Sequence, residues 1–122
     1  MQELAVRWAV DLDPAPHLPD GLTAFLKLVA DPNRLRILAV LVHGERCVCD
    51  IEAAVRLPQN LVSHHLSVLK REGLVLDRRA GRWVYYRIEP QALGARLKAL
   101  AALLDLQHVD RRAVPCAEDG AP

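Results

Sequence analysis

The stretch Val48–Ile88 constrains the fold more than any other part of the chain, because its hydrophobic period changes once, from helical spacing to alternation. A short apolar stripe over roughly Val48–Arg56, with Ile51, Ala54 and Val55 inward, runs into the turn Leu57-Pro58-Gln59-Asn60. A second helix over about Gln59–Glu72 carries Val62, His65, Leu66 and Leu69 at helical spacing on one side, and Gly73 closes it. Alternation then takes over in Leu74–Arg79 and Arg82–Ile88, two short strands with Ala80-Gly81 as the turn between them. Two helices joined by a few residues and followed by a hairpin make a helix-turn-helix with a wing.

The flanking segments complete a mainly α chain with one small β-hairpin. Residues 2–12 place Leu4, Trp8 and Leu12 four apart, and Asp13-Pro14-Ala15-Pro16 breaks that stripe. Asp20 is expected to cap a helix that gathers Leu22, Phe25, Leu26 and Val29 on one face. Asp31-Pro32 opens the next helix, about Pro32–His43, expected to pack Leu35, Leu38, Leu41 and Val42 before Gly44. After Pro90, Leu93, Leu97, Leu100 and Leu104 recur at helical steps with Leu103 and Leu106 beside them. Such an apolar helix with no further core to cover predicts a homodimer interface. The expected organisation is one domain over residues 1–112, with a DNA-binding core at 32–88 and dimerisation helices at about 2–30 and 90–110. Residues 113–122 read as a flexible tail carrying Cys116.

At 122 residues and 52% hydrophobic, the chain has enough apolar surface for one core. It has no run of about 18 uncharged apolar residues, and Glu3 and Asp11 lie where a secretory leader would be basic, so a cytoplasmic protein without a membrane partner is expected. A net charge of +1 does not announce a nucleic-acid binder, but its distribution does. Lys70, Arg71, Arg78, Arg79, Arg82 and Arg87 face only Glu72 and Asp77 between positions 70 and 87. Of these, Lys70, Arg78, Arg79 and Arg82 are candidate DNA contacts, with Arg82 at the hairpin tip suited to the minor groove. The outer face of the second helix displays Gln59, Asn60, Ser63, His64 and Ser67, short polar groups that reach base edges in a major groove, whereas His65 points to the core.

Three cysteines, Cys47, Cys49 and Cys116, favour reduced thiols over a disulfide framework. The Cys47-x-Cys49 pair offers two soft donors to arsenic(III), antimony(III), cadmium or lead and excludes calcium and magnesium. Residues two apart on a helix point about 200° apart, so sharing one ion is expected to unwind the first turn of that helix. A catalytic Cys49 would need a base, and the sequence places neither His43 nor His65 beside it; no glycine-rich phosphate loop is present, and no organic cofactor is expected.

Four segments carry a family resemblance: VADPNRLRIL at Val29–Leu38, ERCVCDI at Glu45–Ile51, LVSHHLSVLKREGLV at Leu61–Val75 and GRWVYYRI at Gly81–Ile88. Together they resemble the ArsR/SmtB family of metal-responsive repressors, over about residues 22–106. The resemblance implies a winged helix-turn-helix homodimer that holds an inverted-repeat operator when metal-free and leaves it when an ion binds. Cys47 and Cys49 match the family's thiolate site near the supporting helix. Where some arsenic-sensing members have a further cysteine three residues on, this chain has Glu52, which leaves Cys116 as the third thiolate. Three sulfurs without a histidine rank arsenic(III) or antimony(III) first as inducer and cadmium or lead second. The family's other site, on the last helix, has only Asp105 and His108 here, so His108 reads as a surface residue. A thiol-redox version of the same repressor, with Cys47 or Cys49 joining Cys116, is the alternative.

Overall fold

The computed structural model describes residues 14–110; the stripe at 2–12 and the tail cysteine Cys116 lie outside the described residues. Five helices and three strands follow in the order α1 (Leu22–Val29), α2 (Pro32–Leu41), β1 (Arg46–Cys47), α3 (Val48–Val55), α4 (Gln59–Arg71), β2 (Val75–Ala80), β3 (Trp83–Ile88) and α5 (Pro90–Leu103), with a 3-10 turn at Leu106–His108. The antiparallel sheet has the order β1-β3-β2. The winged helix-turn-helix expected from the sequence is therefore present, with one strand more than the hairpin.

Local chemistry accounts for most boundaries. Asp31 accepts from the Asn33 and Arg34 amides at 2.8 and 3.2 Å and precedes Pro32, whose missing N–H costs nothing at a helix start. The Arg34 and Asn33 amides hold the Asp31 carboxyl below its ordinary range. Gly21, not Asp20, caps α1, in a left-handed conformation that suits glycine. The turn of the hairpin is Gly81-Arg82, one position later than the pattern suggests, because Ala80 already pairs with Trp83.

The core joins α1 to α4 and the start of β2: Leu22, Phe25, Ile37, Leu38, Leu41, Ile51, Val55, Val62, Leu66, Leu69, Leu74 and Val75 form one buried cluster. The four inward positions expected of α4 are all buried, His65 included. Three other expectations are corrected. In α2 the core face is Ile37, Leu38 and Leu41, while Leu35 and Val42 are exposed, since burial here tracks a face rotated from the leucine spacing. In α3, Ile51 and Val55 pack inward and Ala54 is exposed. The last helix stops at Leu103 rather than continuing to 110, because Leu104 leaves helical geometry.

Candidate functional site

Cys47 is the last residue of β1 and the N-cap of α3. Its backbone is extended, so its side chain turns back across the helix end and its Sγ accepts from the Asp50 amide at 3.4 Å. Cys49 sits in the first turn. The two sulfurs meet and are joined as a disulfide, with the Cα atoms 5.4 Å apart. The expectation that the pair could converge only by unwinding α3 is thus corrected: one member lies outside the helix, and the 200° argument applies only when both lie inside. Cys47 is buried, at 7% exposure, and Cys49 is exposed. The Asp50 carboxylate joins them, the ligand atoms of all three lying within 4.8 Å of one another. Spacing alone hides Asp50, because aspartate in the first turn of a helix is common for electrostatic reasons.

The chemistry of this donor set fits a soft cation or metalloid. Reduced, it offers two sulfurs and an oxygen at the positive end of α3, where an anionic thiolate is favoured. Glu52, the position after Ile51, is not part of the cluster.

Gln59, Asn60, Ser63, His64 and Ser67 all lie exposed along α4, as the sequence predicts for a reading face. Ser67 donates to the His64 carbonyl at 2.9 Å, and the His64 and His65 rings are tilted 57° apart. His65 points inward, is 7% exposed, and its Nδ1 finds no hydrogen-bond partner among the described residues; burial pushes its pKa below the ordinary 6.5, partly offset by Asp31.

The wing cations are differently employed. Lys70 donates to Asp77 at 3.0 Å, a pairing that raises its pKa. Arg82 lies over the exposed Trp83 ring at 5.5 Å, at the hairpin tip, and Arg79 is exposed on β2. Arg78 is engaged twice: by both Glu45 carboxylate oxygens at 2.7 to 3.0 Å and by the Tyr85 ring at 4.6 Å. The Arg78 hydrogen bonds hold the Glu45 carboxyl low. Asp105 and His108, doubted as a metal site, face each other at 2.5 Å on the exposed 3-10 turn, and they are not part of a larger ligand cluster among the described residues.

Residues 31–76, from the cap of α2 to the start of β2, match the family model for bacterial regulatory proteins of the arsR family. The chain is 41% identical over 86 residues to the arsenic resistance transcriptional regulator ArsR1 of Pseudomonas putida, an alignment that covers 68% of this chain and 67% of that protein. The chain belongs to the arsR family. A second relative of this arsR-family chain is the cadmium resistance regulatory protein CadC of Listeria innocua, 42% identical over 70 residues, 57% of this chain and 59% of that one. The matched stretch thus spans about three fifths to two thirds of these two relatives. Among solved structures, a possible transcriptional regulator for arsenical resistance superposes with a TM-score of 0.58 at 39% identity, covering 70% of this chain and 84% of that one. The family is one of transcriptional regulators. No described helix is long and apolar enough to cross a membrane.

Proposed function

We propose that this arsR-family protein is a cytoplasmic metal(loid)-responsive repressor that binds an inverted-repeat operator as a homodimer and leaves it when a soft ion binds its thiolates. The observation that carries the reading is the convergence of Cys47 and Cys49 at the N-terminus of α3, the helix whose Ile51 and Val55 share one core with Val62 and Leu66 of α4. An ion that draws the reduced sulfurs and a third ligand together moves the start of α3, and this packing passes the movement to the helix carrying Gln59, Asn60, Ser63, His64 and Ser67. The shift is limited by the ion's preference for one arrangement over the other. Arsenic(III) or antimony(III) is the first choice of inducer, with Cys116 as the third thiolate; cadmium or lead is the second, with the Asp50 oxygen completing the set. Relatives named for arsenic resistance and for cadmium resistance support both choices.

The dimer rests on α5. Leu93, Leu100 and Leu103 pack on the core of their own chain, whereas Leu97 and Leu104 are 51% and 61% exposed. Leu97 and the exposed Val42 line one apolar groove of about 440 Å³, together with Leu41, Ile88 and Leu93. A second copy covers that surface.

The disulfide favours a second reading, in which a peroxide takes two electrons and two protons from the Cys47 and Cys49 thiols, giving the disulfide and water. The pairing of either cysteine with Cys116 considered from the sequence is the other form of this reading. Operator binding of reduced protein, followed by fluorescence polarisation during separate titrations with arsenite, antimonite, cadmium, lead, zinc and hydrogen peroxide, tests both. Release by arsenite or antimonite at the lowest concentration supports the metalloid switch, release by cadmium or lead moves the assignment to the second ions, and release by peroxide alone replaces the ion with oxidation.

A further inference from the structure

The sheet register sets Cys47, Tyr85 and Arg78 in one row across β1, β3 and β2. Paired residues on adjacent strands project to the same face, and the Arg78 guanidinium accordingly lies over the Tyr85 ring. Glu45 stands two residues before Cys47. Its carboxylate takes a forked contact from Arg78, 33 positions away in the chain. Because β3 separates β1 from β2, this ion pair crosses the central strand and straps the thiol-bearing edge of the sheet to the outer strand of the wing.

We propose that the Glu45–Arg78 strap transmits ion binding from the thiols to the wing, making Glu45 a positioning residue for operator release; the proposal rests on the ion-switch reading above. A second route thereby runs beside the packing of α3 on α4. The physical basis is a guanidinium with two competing anionic partners. A bidentate carboxylate contact fixes both position and orientation of the fork, so while Glu45 holds it, Arg78 presents a fixed cation on the face of the wing. An ion that repositions Cys47 moves Glu45 with it, because Glu45 is the residue immediately before the two-residue strand β1 that ends in Cys47. Arg78 must then follow Glu45 or lose it, and either change alters the charge that β2 offers to a phosphate. The strap is partly solvated, with side-chain exposures of 53% for Arg78 and 27% for Glu45. Exposed ion pairs contribute little to stability, so its removal is expected to spare the fold.

The test uses the full-length reduced protein as wild type, Glu45→Gln, Arg78→Gln and the double variant. Cadmium chloride and sodium arsenite are the probes, ion binding is followed by thiolate-to-metal ultraviolet absorption, and operator affinity is followed by fluorescence polarisation. Glu45→Gln is expected to bind either ion within about threefold of wild type, while the ion-induced weakening of operator binding shrinks at least about fivefold. The double variant should lose no more coupling than the singles, since all three break one strap. Wild-type weakening in Glu45→Gln, or additive losses in the double variant, overturns the proposal. Ion binding to the wild type without any weakening of operator affinity overturns the switch reading itself, and the role of the strap with it.

Discussion

The helices α4 and α5 are nearly equal in length, yet the chain treats them in opposite ways. Five residues of α4 are buried, Val62, His65, Leu66, Val68 and Leu69, and its outer face is polar. None of α5 is buried, although leucine and alanine dominate it. The first helix is finished within one chain, with one face spent on the core and the other polar and exposed. The second is half finished, packing Leu93, Leu100 and Leu103 inward and leaving Leu97, and Leu104 just past its end, outside. Hydrophobicity alone therefore does not say where a helix is buried; it says how much partner surface the helix needs.

The largest expected effect comes from breaking the unfinished face. Leu97→Glu with Leu104→Glu should leave a folded monomer by sedimentation and weaken operator binding by about two orders of magnitude or more, because each subunit then holds its half-site alone. A dimer with wild-type affinity would show that α5 completes itself some other way. Next, Leu66→Ala should lower the unfolding free energy by about 3 kcal/mol in urea, whereas Leu97→Ala, measured at concentrations where the chain is monomeric, should stay within about 0.5 kcal/mol. Equal losses would erase the contrast between the helices.

His65 sharpens the comparison further, as the one buried titratable group on α4. Its pKa is depressed in the folded chain, so the unfolded chain binds the proton more readily, and stability must fall as pH drops below the ordinary 6.5. Urea midpoints between pH 7.5 and 5.5 should decline in the wild type, and His65→Gln should flatten part of that decline. The smallest effect belongs to the wing. Arg79→Ala and Arg82→Ala should each reduce the salt dependence of operator binding by about one unit of the log–log slope, with the protein's melting temperature unchanged.

Much of this was legible in the sequence where a periodic stripe met a solvent boundary. Val62, His65, Leu66 and Leu69 were readable because every position of that face is buried. The α2 stripe misled because Leu35 and Val42 are exposed while Ile37, off the leucine spacing, is fully buried. Strand β1 was invisible, since two residues cannot display alternation and its pairing with Tyr85 and Tyr86 lies about forty positions away. The expected span Val48–Arg56 already leaves Cys47 outside the helix but does not show its extended backbone as the N-cap, and with that the ease with which the two sulfurs meet was missed. Asp50 was missed because an aspartate in the first turn of a helix is common on electrostatic grounds alone, and the Glu45–Arg78 strap because its partners lie 33 positions apart, a pairing of which charge spacing along one segment carries no trace.

The measurement that bears most directly on the account is arsenite titration of the reduced, operator-bound protein, comparing wild type with Cys47→Ser, Cys49→Ser and Cys116→Ser. Release of the wild type, abolished by each of the three substitutions, is the predicted result for a three-thiolate switch. Release that survives the loss of Cys47 or Cys49 would contradict it, because the convergence of those two sulfurs at the head of α3 is the feature on which the switch depends.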